Sequence, residues 1–344
     1  MATLLSPSPK ISRDIRDEHL LPELQVNHTR NTPVFIIGQP RSGTSVFARM
    51  FRKYLKVNFG PESQFFIRMN DQLERFGDLE KDENLRTLIA EIARERCFQR
   101  NQFNFAVDTE RVFRETPERT YPAVVATIFS HFAEHNGLPR WGDKTPEYIE
   151  NLETLHLLFP DAQYIHIVRD GRDVALSHFK THFGAKNSVV AALEWQLNVD
   201  RVLKFAAKLP ADRFTEIRYE DLMETPEAVF RHLIGFLGIE DAGDELGRFI
   251  EENIEKEFKK QNYFKWQKAF SRRAKRDFER VAKQGLEWYR YPTVTQKKPL
   301  PMTLPEKVFW KGAHLVKKAL QISYWRDNLY KSGLRWRRLG LNRA

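Results

Sequence analysis

PVFIIGQPRSGTSVFARMF, residues 33–51, is the stretch on which the fold turns. Val34, Phe35, Ile36 and Ile37 form a short continuous apolar run, the pattern of a strand covered on both faces. The chain then reads GQPRSGTS from Gly38 to Ser45, and beyond it the apolar residues recur at helical spacing. A buried strand, a glycine-containing turn and a helix start form the architecture that binds phosphate, because backbone N–H groups at a helix N-terminus are free and the helix dipole favours negative charge there; otherwise Gly43 is a plain turn and Arg41 a solvated side chain. The nucleotide-binding loop of triphosphate enzymes reads GxxxxGK[ST]. Gly38 and Gly43 keep that register, but Thr44 follows the second glycine where lysine is expected, and the cation of the loop is Arg41.

The remaining sequence predicts a domain built around this unit. Its 344 residues suffice for one large α/β domain or two small ones. A formal charge of +10 suits an anionic ligand, a nucleic acid or a membrane surface without choosing among them. Cys97 is the single cysteine, so no intrachain disulfide is available, and it lies in a charged helical stretch as a structural residue. No apolar run approaches the roughly 18 residues of a spanning helix, and the N-terminus has too short an apolar core for a signal peptide. The expectation is a cytoplasmic protein.

Further strands are read at KVNFGPES (56–63), AQYIHIVRD (162–170) and RFTEIRYEDL (213–222), and RWGDKTPEY (140–148) reads as a short strand followed by a helix with Pro146 in its first turn; helices fill the other intervals. Alternating strands and helices argue for a parallel sheet. The expected architecture is a single P-loop-like α/β domain over residues 31–292, its central parallel sheet flanked by helices. A polar arm (1–30) precedes it and a basic amphipathic helical extension (293–344) follows.

Two more segments bear on chemistry. In IHIVRDGRDVALSHF (165–179), Arg169 stands at the C-terminal end of a strand, where α/β sheets bind ligands, and Ser177 lies two turns into the next helix. The pair grips a second phosphate, or Arg169 instead pairs with Asp173 and Ser177 packs. In EIRYEDLMETP (216–226), Tyr219 closes a strand before an acidic turn, either as a face for a base or as a core tyrosine.

A PxSGT loop (40–44), then VRDxRDVxxS (168–177), then a strand ending in YEDL resembles the sulfotransferase family, which takes sulfuryl groups from 3′-phosphoadenosine 5′-phosphosulfate (PAPS) and leaves 3′,5′-adenosine bisphosphate (PAP). The resemblance spans about residues 33 to 291. It implies that Arg41, Ser42, Gly43, Thr44 and Ser45 hold the 5′-phosphosulfate, that Arg169 and Ser177 hold the 3′-phosphate, and that Tyr219 lies on the adenine side. No metal is expected, and the absent loop lysine fits a donor that is not a magnesium-bound triphosphate.

Sulfuryl transfer to a hydroxyl asks for positioning, cations for the leaving phosphate, and a base. No match to the KxH segment of the small-molecule enzymes is found, and His178 and His182 are read as structural or lining residues. FGPESQFF (59–66) resembles the GExxFF or EPxFF segment of glycan-modifying and tyrosylprotein-type enzymes, which implies that Glu62 is the base; otherwise it is an acid near a helix start. DKTP resembles the KTP of the same branch and implies Lys144 near the transferring group, with Asp143 able to hold it. NYFKWQKAFS (262–271) reads as a late covering segment marked by Lys265 and Trp266, while the RKGxxGDW signature of the small-molecule enzymes is absent.

After Pro292 the chain becomes rich in lysine and arginine interleaved with Val308, Phe309, Trp310, Leu315 and Trp325. Such a helix lies on an anionic membrane through residues 305–340, packs on its own domain, or joins a homodimer. The leading expectation is sulfation of a small-molecule, glycan or lipid-linked acceptor. The alternatives are a nucleotide kinase or other P-loop NTPase, and an inactive PAPS- or PAP-binding or membrane-surface protein. No fingerprint of nucleic-acid binding is found.

Overall fold

The computed structural model describes residues 27–99, 104–181, 184–241, 244–254, 262–294 and 303–319. Strands β1 (Asn27–His28), β2 (Val34–Ile37), β3 (Val57–Phe59), β4 (Arg140–Asp143), β5 (Gln163–Val168), β6 (Phe214–Arg218) and β7 (Ile239–Glu240) form two sheets. The main sheet has the order β3-β4-β2-β5-β6, and every neighbouring pair in it is parallel. β1 and β7 make a separate antiparallel pair, with Asn27 opposite Glu240 and His28 opposite Ile239. The polar arm expected over 1–30 lies outside the described residues as far as 26, and its last residues enter this small sheet.

β2 is central because its side chains alternate between two apolar layers. Phe35 and Ile37 point into one buried cluster, with Phe66, Phe129, Trp141 and Tyr164. Val34 and Ile36 point into another, with Phe47, Phe51, Ile165 and Phe230. A strand buried on both faces has no polar alternation, which is why its sequence reads as an unbroken apolar run. The helices Tyr121–His135 and Leu152–Leu158 cover the first face, and Thr44–Tyr54 and Pro226–Leu237 the second. A third cluster, around Trp195, Trp266 and Phe278, lies between the helices Gly171–Phe179, Ser188–Ala206 and Arg272–Trp288.

Two sequence readings shift. Pro146 opens a 3₁₀ turn, Pro146–Glu150, and the α-helix begins only at Leu152. The strand read over 213–222 stops at Arg218, and Tyr219–Glu224 is helical. Glu220 and Asp221 stand in that helix's first turn, where acidic side chains complement the dipole.

The chain leaves β2 toward β4 and β3, and leaves β5 toward β6 on the other side. The crevice at the carboxyl ends of β2 and β5 is thus the switch point at which α/β sheets place their ligands.

Candidate active site

The opening turn is shaped for close approach. Gly43 has φ +94°, and a Cβ there would stand 2.7 Å from the Tyr219 ring. Its neighbour Arg41 has φ +78°, a left-handed conformation uncommon for a residue with a side chain. No side chain caps the helix Thr44–Tyr54 and no acid stands in its first turn, so its positive end faces the crevice without a built-in anion.

The residues singled out in the sequence converge on this turn. Arg41 Nε donates to Ser177 Oγ at 2.8 Å. Arg169, 9% exposed, donates through its guanidinium to the Asn262 carbonyl at 2.6 Å and reaches the Arg41 carbonyl at 3.4 Å. Its guanidinium carbon stands 4.3 Å from the centre of the Tyr219 ring, whose hydroxyl accepts from Asn262 Nδ2 at 3.0 Å. Arg169 Nε is buried with no partner among the described residues. The contact from Arg169 to Asp173 is long, 3.9 Å, so the structural ion pair weighed from the sequence is the weaker of its attachments. Asp173 instead accepts from the backbone N–H of Trp266 at 2.9 Å.

The second half of the site is built on β4 and the turn after β3. Lys144 Nζ donates to Ser45 Oγ at 3.0 Å and to Glu62 Oε1 at 2.5 Å. One ammonium group therefore joins the glycine turn to the candidate base. The Lys144 side chain is 6% exposed and that of Glu62 33%, so the pair has a buried end and an open end. Asp143 does not bond Lys144. Its Oδ2 accepts from Ser63 Oγ at 2.8 Å and Thr145 Oγ1 at 2.9 Å, and Ser63 Oγ also lies 2.7 Å from the Tyr148 hydroxyl. Ser63 follows Glu62 and Thr145 follows Lys144, so Asp143 fixes both by tying their neighbours together. Burial pushes its carboxyl up to about 6, against the pull of the two hydroxyls and the Lys144 charge.

The other residues singled out in the sequence touch this convergence through its neighbours or lie away from it. Trp266 is fully buried, with the Arg172 guanidinium carbon 3.5 Å from its ring centre; its link to the site is the backbone N–H on Asp173. Lys265 Nζ donates to Asn262 Oδ1 at 2.5 Å. His178 Nε2 lies 3.0 Å from the Pro40 carbonyl, beneath the loop, while His182 lies outside the described residues. Cys97 is buried, and burial pushes its thiol up to about 12. Sequence reasoning missed Asn262, which joins Arg169 to Tyr219, and Ser63. Their only local signal is proximity to quoted motifs, since each acts on a residue dozens of positions away.

Below the crevice a buried carboxylate carries a pH prediction. Glu220 accepts from the Asp170 backbone N–H at 3.1 Å and from the Tyr291 hydroxyl at 2.8 Å, and burial beside Asp170 pushes it up to about 7. The folded chain thus holds this proton more tightly than the unfolded chain. Its stabilising effect is complete below the ordinary value of 4.5 and is lost as pH rises toward 7. Between pH 5 and pH 8, wild type should lose on the order of 2 kcal/mol relative to Glu220→Gln in urea unfolding. Parallel pH profiles for the two proteins would show that Glu220 is not the titrating group.

A sequence model described as "Sulfotransferase family" matches residues 33–243, more than half of the chain. The chain belongs to the sulfotransferase family. Nodulation protein NoeE of Sinorhizobium fredii is 26% identical over 231 residues, covering 61% of this chain and 50% of that protein. Protein-tyrosine sulfotransferase A of Caenorhabditis elegans is 24% identical over 219 residues, covering 62% and 51%. This sulfotransferase-family chain thus spans about half the length, or less, of the curated relatives it matches. Among solved structures, the sulfotransferase domain of the Synechococcus olefin synthase aligns with a TM-score of 0.49 and 20% identity, over 77% of this chain and 97% of that one.

Proposed function

We propose that this sulfotransferase-family chain moves a sulfuryl group from PAPS to a hydroxyl of a glycan, glycolipid or small molecule. The observation that carries the reading is the position of Lys144 Nζ, 3.0 Å from Ser45 on the phosphate turn and 2.5 Å from Glu62. The carboxylate that would accept the acceptor's proton and the turn that would hold the leaving phosphate thus share one cation. The acceptor oxygen would bond to sulfur as the sulfur–oxygen bond to the 5′-phosphate breaks. Its proton would pass to Glu62, and PAP would leave with its charge met by Lys144, Arg41 and the helix N-terminus.

The donor's two ends suit the two halves of the crevice. Ser42, Gly43, Thr44 and Ser45 would take the 5′-phosphosulfate. Arg169, with its unpartnered buried Nε, and Ser177 would take the 3′-phosphate, with Tyr219 beneath them. The bond between Arg41 and Ser177 would then exchange for bonds to phosphate oxygens. A kinase reading has Thr44 where its loop requires lysine.

The test is incubation with sulfur-labelled PAPS and a panel of hydroxylated glycans, lipids and phenols. Labelled acceptor and PAP in equal amounts are expected. Binding of magnesium-ATP with no binding of PAP would overturn the reading.

A further inference from the structure

Thr303 and Glu306 begin the last described helix, Leu304–Ala319, with a reciprocal cap: Glu306 Oε2 accepts from the Thr303 N–H at 2.9 Å, and the Glu306 N–H donates to Thr303 Oγ1 at 3.4 Å. One side of this helix is docked on the domain. Asn187 Nδ2 donates to the Trp310 carbonyl at 3.3 Å, Arg280 pairs with Glu306 at 3.5 Å, and Arg273 lies 5.9 Å from the centre of the Trp310 ring. The packing expected from the sequence is therefore present along this side.

On the other side, the described apolar side chains are exposed. Leu304, Val308, Phe309 and Val316 are 74%, 61%, 66% and 61% exposed, and they supply four of the eight large exposed hydrophobic side chains among the described residues. Their spacing of four and seven residues sets them along one flank, with exposed Lys311 among them. Residues 304–344 contain ten lysines and arginines against two acids, a net +8 of the chain's +10. The positive charge of the sequence is thus concentrated in the segment that begins with this helix.

We propose that this flank is a docking surface for an anionic lipid bilayer, with the helix lying in the plane of the interface. An amphipathic helix of this composition sinks its apolar side into the boundary of headgroups and acyl chains while its cations meet anionic headgroups. A second copy of the chain would bring together two C-terminal segments that each carry a net +8, and like-charge contact opposes that. No described helix is long and apolar enough to cross a membrane, so the contact is peripheral. The inference does not rest on the sulfotransfer reading.

The experiment is sedimentation of the full chain with phosphatidylcholine–phosphatidylserine vesicles and with pure phosphatidylcholine vesicles. Binding to the anionic vesicles alone is expected, weakened by salt and at least about tenfold weaker in the double variant Val308→Ser, Phe309→Ser. A second variant, Phe309→Trp, reads insertion directly: its added fluorescence should shift to shorter wavelength with anionic vesicles and not with neutral ones. Three results would overturn the proposal: no binding to anionic vesicles, binding that the double variant leaves unchanged with no shift in Phe309→Trp, or self-association through this flank without vesicle binding. PAP titration of the same samples keeps a failure here separate from a failure of the donor site.

Discussion

Glu62→Gln should lower kcat by about 10²- to 10⁴-fold, the usual contribution of a general base, and leave PAP affinity within about twofold. The substitution preserves shape, and the amide oxygen can still accept from Lys144, so the phosphate turn keeps its support through Ser45. What disappears is the capacity to hold the acceptor's proton. One-third exposure of the Glu62 side chain places the change at an open position, so the fold should persist. The measurement is single-turnover transfer from PAPS to an accepted substrate, paired with calorimetric titration of PAP. Activity within tenfold of wild type would move the base elsewhere. Equal losses of activity and PAP affinity would instead make Glu62 a support of the donor turn.

Arg169→Ala should weaken PAP binding by at least tenfold, about 1.4 kcal/mol. An arginine that meets a phosphate through two parallel hydrogen bonds provides both charge and geometry. Here the guanidinium also spans Asn262, the Arg41 carbonyl and the face of Tyr219, so its loss loosens three walls of the crevice together. Arg169→Lys separates the contributions: it keeps the charge without the planar fork and should fall between alanine and wild type. Titration calorimetry with PAP gives the affinities, and thermal unfolding checks that both variants remain folded. Unchanged PAP affinity in Arg169→Ala would remove the 3′-phosphate role from this residue.

The sequence displays some of this architecture and hides the rest for physical reasons. The strand, turn and helix over 34–54 is legible because a strand buried on both faces leaves an apolar run and a phosphate turn needs its glycine within a few positions. The central parallel sheet follows from the alternation of such units. Tyr219 illustrates a limit: RFTEIRYEDL is a continuous strand by composition, yet the acids at 220 and 221 open a helix one residue after β6. At the site, Arg41, Lys144, Arg169 and Ser177 lie in local motifs, so their positions are visible in the sequence. The role of Asp143 is not, because its partner Ser63, which also bonds the Tyr148 hydroxyl, becomes its neighbour only when β3 and β4 pair. Asn262 is hidden for the same reason: its two partners lie in other segments, and no periodicity announces it.

The parallel order of the main sheet has a consequence for how the protein is made. Parallel neighbours cannot be joined by a tight turn, and the two sides of the crevice are far apart in sequence: Arg41 and Ser177 are separated by 136 residues, and Arg169 and Asn262 by 93. At ordinary elongation rates the ribosome needs on the order of ten seconds between emitting the first and second members of the former pair. Throughout that interval β2 is an apolar segment without its β5 neighbour, exposed to nonspecific association. Newly made chains should therefore depend on protection from aggregation during synthesis, and a nascent fragment ending before β5 should bind no donor even though it already carries the complete glycine turn.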